Sequence, residues 1–222
     1  MTGDPIDTPR LRELEAELAA ARLEIEQLKA RLGAGELELR ALARDRTPEE
    51  VLREETRPAR IDPLTGLPNR RGFEEGAAMM LDHLGRQGQV MTVGIVDVNG
   101  LKRVNRMLGE AEGDLALKVI AATIQGAIRS LDVLGRVDGD EFAVLLPGMP
   151  ASPARQFFDR LAERLTEACQ GSAWGIGFSV GAATFTGRLP ALADAVDHAE
   201  ALMREARAAG TTRVVYAEIP AA

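Results

Sequence analysis

The chain has 222 residues, 45% of them apolar and 27% charged, the make-up of a globular protein rather than a disordered tail. A net charge of −7 leaves no surplus of Lys and Arg to neutralise a phosphate backbone, which argues against broad nucleic-acid binding. One cysteine, Cys169, excludes an internal disulfide; no secretory apolar stretch opens the chain and no apolar run reaches the roughly 18 residues of a membrane span, so a cytoplasmic protein with no membrane partner is expected. His83 and His198 lie far apart and share no metal-ligand spacing with Cys169, so packing or surface roles are expected of them, not zinc binding.

Taken in chain order, the first predicted element is a helix over residues 11–32. Leu11, Leu14, Leu18, Ala21, Ile25, Leu28 and Leu32 alternate spacings of three and four, the seam of a coiled coil. With Leu11 at position a, a parallel pair of such helices would set Arg10 against Glu15, Glu17 against Arg22 and Glu24 against Lys29, all attractive. A parallel homodimer through residues 1–46 is therefore expected. Thr47, Pro48 and Glu50 form a capping box that opens a short helix, and Pro58 marks a joint, so 47–60 reads as a linker ahead of a globular domain over 61–219.

Within that domain, residues 90–99 are β-rich and apolar and predict a central strand ending near Asp97. A short helix follows over 101–109 and a longer one over 114–129, with Asp114 placed as its N-cap. Two apolar runs around Asp138-Gly139 predict a hairpin over 133–146 whose turn is that Asp-Gly pair. Helix over 152–169, strand over 174–185, helix over 192–209 closed by Gly210, and strand over 212–218 complete the pattern. Interleaved strands and helices with one antiparallel hairpin specify an α+β sandwich with a mixed or mostly antiparallel sheet. The string "GIGFSVG" is no dinucleotide fingerprint, because its third glycine is misplaced and no helix starts there.

A tight turn explains Asp138-Gly139, but not the further acids Asp140 and Glu141 at the start of the returning strand. Neighbours on a strand point to opposite faces, so one of the two can share a face with Asp97. Two carboxylates at adjacent strand ends make a hard oxygen site of the kind Mg²⁺ takes, with positions left for water and substrate phosphates.

The surroundings of these acids resemble the GGDEF family, the diguanylate cyclases, over about residues 58–217. The likeness is carried by "DPLTGLPNRRGF" at 62–73, "VDVNGLKRVN" at 96–105, "GEAEGD" at 109–114, "GRVDGDEFAVLLPG" at 135–148, "SVGAATF" at 179–185 and "MREARAAGTTRV" at 203–214. The resemblance implies condensation of two GTP molecules into cyclic di-GMP with release of pyrophosphate, by a domain whose central, mostly antiparallel sheet is flanked by helices. It implies that Asp97, Asp140 and the backbone carbonyl of Val98 bind Mg²⁺ or Mn²⁺, with Glu141 a further catalytic acid. Asn105 and Asp114 would read guanine, and Gly100, Leu101 and Lys102 would meet the phosphates. Asp138, Gly139 and Arg207 would complete the substrate site, and Arg129 and Asp132 would form an RxxD inhibitory site for product.

The chain departs from the family pattern at several points. Asp138 stands for the first signature glycine, Asn99 for the second acid of the metal strand, and Arg106 for the acid after Asn105. Glu110 stands for a frequent histidine, Arg207 for a phosphate-binding lysine and Thr211 for its companion arginine. Two functions stay open on these grounds: a diguanylate cyclase, slowed by the Asp138 charge, or a degenerate module that binds cyclic di-GMP or GTP and signals as a receptor or scaffold.

Overall fold

The computed structural model describes residues 59–85, 90–210 and 212–220, together with Lys29. The predicted coiled coil, the capped helix after it and Thr211 lie outside these residues. The chain divides into two units, 1–58 and 59–222.

The second unit runs α1 (Arg70–Gly85), β1 (Met91–Asn99), α2 (Leu101–Leu108), α3 (Glu110–Gln125), β2 (Val133–Arg136), β3 (Glu141–Pro147), α4 (Ala151–Cys169), β4 (Gly177–Thr186), α5 (Leu192–Ala208) and β5 (Arg213–Pro220). The strands form one sheet in the order β2-β3-β1-β4-β5. Every pairing is antiparallel except β4 with β5, so the sheet is mixed.

β1 lies at the centre and is buried on both faces, which is why its residues read as a near-continuous apolar run and not as an alternation. Val96 and Val98 join Phe142, Val144 and Leu146 in the core beneath α2, α3 and α4. Met91, Val93 and Ile95 join Ala143 and Leu145 in the core beneath α1 and α5. Two glycines let the helices approach: a Cβ on Gly94 would sit 2.2 Å from the Phe158 ring, and one on Gly181 would sit 2.1 Å from the Met203 nitrogen of α5.

Three differences from the predicted elements bear on the site. Helix α1 is an added element; Gly72 and Gly76 dilute its helical signal, yet a Cβ on Gly72 would lie 2.3 Å from the Arg60 carbonyl oxygen. α3 begins at Glu110, with Gly109 at its N-cap position, so Asp114 lies inside the helix and not at its cap. β4 begins at Gly177, which leaves Trp174 in the loop before it. His198 packs as expected, its ring edge-on to Phe185 and its Nδ1 2.7 Å from the Asp194 carbonyl oxygen. Among the described residues, no helix is long and apolar enough to cross a membrane.

Candidate active site

Antiparallel register sets Asp97 of β1 directly opposite Glu141 of β3. The residue that shares a strand face with Asp97 is therefore Glu141, while Asp140 belongs to the turn just before it. That turn is fastened to β1, since the Val98 N–H donates to the Asp140 carbonyl at 2.9 Å. Three acids are thus gathered where two central strands end.

Asp97 is 1% exposed. Burial pushes its carboxyl above the usual carboxylate range, Arg207 pulls it back, and the Asp140 charge adds to the upward push. Arg207, in the last turn of α5, places Nη1 3.2 Å from Asp97 Oδ1. On the other oxygen, the Asn99 amide in its satisfied orientation donates to Asp97 Oδ2 at 3.0 Å and accepts from the Ser179 hydroxyl at 2.8 Å. An acid at position 99 would repel Asp97; the amide holds it. Glu141 is also raised by burial, then by the charges of Asp97, Glu200, Asp138 and Asp140. Glu200, projecting from α5, is a member of this acidic group that no sequence motif had marked.

The turn itself centres one residue later than the Asp-Gly pair predicts. Glu141 N–H donates to the Asp138 carbonyl at 3.3 Å, which makes Gly139 and Asp140 the two central residues. Asp138 is exposed and its Oδ1 accepts from the Gly139 N–H at 2.8 Å. A Cβ on Gly139 would meet nothing within 4 Å among the described residues. Arg136 fixes it from below: Nε and Nη2 donate to the Gly139 carbonyl at 3.1 and 2.6 Å, and Nη1 donates to both oxygens of Asp62 at 3.0 and 3.2 Å. Asp62 in turn accepts from the Thr65 N–H and hydroxyl. The opening motif and the signature hairpin are one hydrogen-bonded body, with Arg136 as the link.

At the carboxyl end of β1, Gly100 takes φ 93°, a left-handed conformation that glycine adopts without steric cost, and starts α2 with no side-chain cap. The first-turn N–H groups of Leu101 and exposed Lys102 therefore stand at an uncapped helix start. Asn105, further along α2, has a buried Oδ1 with no hydrogen-bond partner among the described residues. Facing it is Gly113 of α3, where a Cβ would lie 1.7 Å from that oxygen. Asp114 follows and is exposed. The structure thus brings Asn105 and the start of α3 together around an amide in need of a partner, an arrangement that neither helix capping nor core packing accounts for.

Arg129 and Asp132 sit in the turn between α3 and β2. The Asp132 carboxylate accepts from the Arg129 N–H at 2.7 Å, and the Asp132 N–H donates to the Arg129 carbonyl at 3.1 Å. Burial raises the Asp132 pKa, opposed by the Arg129 N–H and charge. The local turn accounts for Asp132, and it leaves the Arg129 side chain exposed.

The donors at Asp97 and Asp140 fit a hard divalent cation: oxygen ligands, one of them buried, and an excess of negative charge. Among the described residues no three or more His, Cys, Asp or Glu side chains form a metal cage. Such an ion would complete its shell from backbone, water or substrate.

Residues 59–213 match the diguanylate cyclase, GGDEF domain family. Over 170 residues the chain is 32% identical to diguanylate cyclase DgcP of Pseudomonas aeruginosa, covering 75% of this chain and 25% of that protein. The solved structure of diguanylate cyclase SiaD, in complex with its activator SiaC, from the same organism superposes with a TM-score of 0.63 at 25% identity, over 95% of this chain and 81% of that one. The coiled coil and GGDEF domain of DgcB from Caulobacter crescentus, in complex with c-di-GMP, gives a TM-score of 0.65 over 92% of this chain and 99% of that one; at 22% identity it bears on the fold alone. The chain spans between 14% and 46% of the length of three curated relatives that it matches.

Proposed function

We propose, from the premise that this chain belongs to the GGDEF family of diguanylate cyclase domains, that it condenses two GTP molecules into cyclic di-GMP and releases two pyrophosphates. In each half of the reaction a ribose hydroxyl oxygen of one GTP loses its proton to solvent and forms a bond to the α-phosphorus of the other, and the bond to the β-phosphate breaks, releasing pyrophosphate. The observation that carries this reading is the meeting of Asp97, Asp140 and Glu141 at neighbouring strand ends, with Asp97 taken out of water. Fold stability alone does not call for three acids together there; a divalent cation that carries the substrate's phosphates accounts for them.

Asp97, Asp140 and the Val98 carbonyl would hold Mg²⁺ or Mn²⁺. When bound, the ion supplies charge neutralisation at the α-phosphate and a lowered pKa for the attacking hydroxyl. The residues of the chain do the rest by position and charge. The Asn105 amide, whose Oδ1 lies unpartnered beside Gly113, would turn to the guanine edge, and Asp114 would take the remaining donors of that edge. The uncapped N–H groups at Leu101 and Lys102, with the Lys102 and Arg207 charges, receive the triphosphate. Gly139 leaves room for it. Glu141 stands beside Asp97 near the reacting hydroxyl. Arg129 and Asp132 bind product and restrain the enzyme. One domain supplies one such set, so two copies act face to face, joined through residues 1–46, with 47–60 as linker and 61–219 as the catalytic domain.

Purified protein given GTP and Mg²⁺ should form cyclic di-GMP, detected by chromatography and mass spectrometry, and an Asp140→Asn variant should form none. The second reading, a receptor that binds without turnover, is favoured by Asp138, whose exposed charge stands where the family carries glycine. Binding of cyclic di-GMP without product formation from GTP would select it.

A further inference from the structure

The two helices that carry Asn105 and Asp114 are joined by a single residue, Gly109, with φ 96° and ψ 159°, a conformation essentially reserved to glycine. A Cβ there would touch nothing within 4 Å, and neither helix start has a side-chain cap. The corner between α2 and α3 is held by the Gly109 N–H donating to the Asn105 carbonyl at 3.0 Å and by Leu101 and Val104 buried in one core with Ala116, Leu117 and Ile120. The loop before β4 adds side-chain tethers to it from outside.

Trp174, the chain's one tryptophan, is 7% exposed and donates from Nε1 to Glu112 Oε2 at 2.9 Å. Glu112 lies two residues before Asp114. From α2, the Arg103 guanidinium donates to the Gly175 carbonyl and lies 3.5 Å from the Trp174 carbonyl. Arg103 lies two residues before Asn105. One short loop segment therefore grips both helices, each just ahead of its base-reading residue. Between Val104, Met107, Leu108 and Trp174 a recess of about 270 Å³ remains open, so on this flank polar tethers supplement the buried contacts of Val104.

We propose that Trp174, through Glu112, is a positioning residue that sets the spacing of Asn105 from Asp114 and so the selectivity of the site for guanine. The inference rests on the functional reading above, because it assumes that these two side chains read the base. The physical reason is that a guanine edge must meet an amide and a carboxylate at once. A corner that opens around Gly109 moves one of them away while leaving the strand-end acids untouched.

The test compares Trp174→Phe, which keeps an aromatic side chain, though a smaller one, and loses the N–H donor, with Glu112→Ala, which loses the acceptor, and Glu112→Gln, which keeps it. Binding of a non-hydrolysable GTP analogue in Mg²⁺ is measured by calorimetry, alongside the same analogue of ATP and steady-state kinetics with GTP. Trp174→Phe and Glu112→Ala should weaken the guanine analogue about tenfold, short of the roughly hundredfold that a 1 Å misplacement can cost, raise KM with kcat within about twofold, and narrow the preference over adenine. Glu112→Gln should restore wild-type affinity and selectivity. Should Trp174→Phe fail to fold, the Glu112 pair carries the comparison, since Glu112 is a partly exposed helix residue. A folded Glu112→Ala protein with wild-type affinity and wild-type guanine preference overturns the brace alone. A wild-type protein that binds no guanine nucleotide overturns the functional reading and the brace together.

Discussion

Asp97 is taken almost wholly out of water with one cation, Arg207, against it at 3.2 Å. A buried carboxylate costs several kcal/mol unless it is paired and hydrogen-bonded, and Asn99 supplies the hydrogen bond while Arg207 supplies the charge. Arg207 is itself 52% exposed, so water screens its share of the pairing. Arg207→Gln should therefore destabilise the nucleotide-free protein by about 1–2 kcal/mol, below the range for a fully buried pair. The same change removes a positive charge from beside the proposed cation site, so Mn²⁺ should bind the nucleotide-free variant more tightly than wild type, read from the free-ion signal in electron paramagnetic resonance. Unchanged stability and unchanged Mn²⁺ affinity would show that Asn99 alone suffices for Asp97. Asp138 makes the opposite case: it is exposed, it is satisfied by its own neighbour's N–H, and its charge falls on Glu141. Asp138→Gly should lower the KM for GTP about fivefold, since relief of one surface charge repulsion is worth about 1 kcal/mol. Equal KM and kcat in both proteins would mean that solvent already screens this carboxylate.

The elements show what local pattern can and cannot carry. The Arg136 bridge to Asp62 spans 74 residues and holds the signature turn to the opening motif, so it is the natural place to test how the turn is supported. Burial alone would raise the Asp62 pKa, but hydrogen bonds from the Thr65 hydroxyl and N–H and from Arg136 outweigh it and hold the carboxyl below its ordinary 3.8. With the folded value depressed, the ionised form is favoured in the fold. The contribution is complete above the unfolded pKa and is lost as pH falls through the folded one. The thermal midpoint of wild type should therefore exceed that of Asp62→Asn most above about pH 5, and the gap should close progressively as acid is added. A gap that stays constant from neutral pH down to pH 3 would remove ionised Asp62 from the support of the turn. The strands were legible in the sequence because their apolar runs are short and bounded, and the acids after Asp138 stood out because no turn needs them. The face shared by Asp97 and Glu141 was not legible as such: alternation offered Asp140 and Glu141 equally, and only the register of β3 on β1 decides between them. Asp114 looked like a cap because capping residues and helix-interior acids share one alphabet, and Gly109 hid the true start at Glu110. Arg136, Glu200 and Trp174 act across the chain, where no spacing rule reaches.

At the scale of the whole molecule, the proposed reaction needs something that one domain does not hold, namely a second loaded site facing the first. Diffusion of separate domains at nanomolar concentration would make such meetings rare. Tethering raises the local concentration of the partner to about the millimolar range when the linker can span the distance. Residues 11–32 carry the pattern for that tether: an unbroken alternation of threes and fours, and charge pairs at Arg10–Glu15, Glu17–Arg22 and Glu24–Lys29 that favour a parallel partner. Because residues 59–222 form a unit of their own, removing 1–46 should leave the GGDEF fold and its thermal midpoint nearly unchanged. It should convert the protein to a monomer by light scattering. Its rate per domain should then fall in proportion to dilution, while the full chain keeps a constant rate over the same range. Fusing a heterologous parallel two-stranded coiled coil to the truncated chain in the same register should restore the dilution-independent rate. If the truncated protein turned over GTP as fast per domain as the full chain at every concentration, proximity through this helix would have no part in the reaction, and the domains would have to meet through a surface of the 59–222 unit itself.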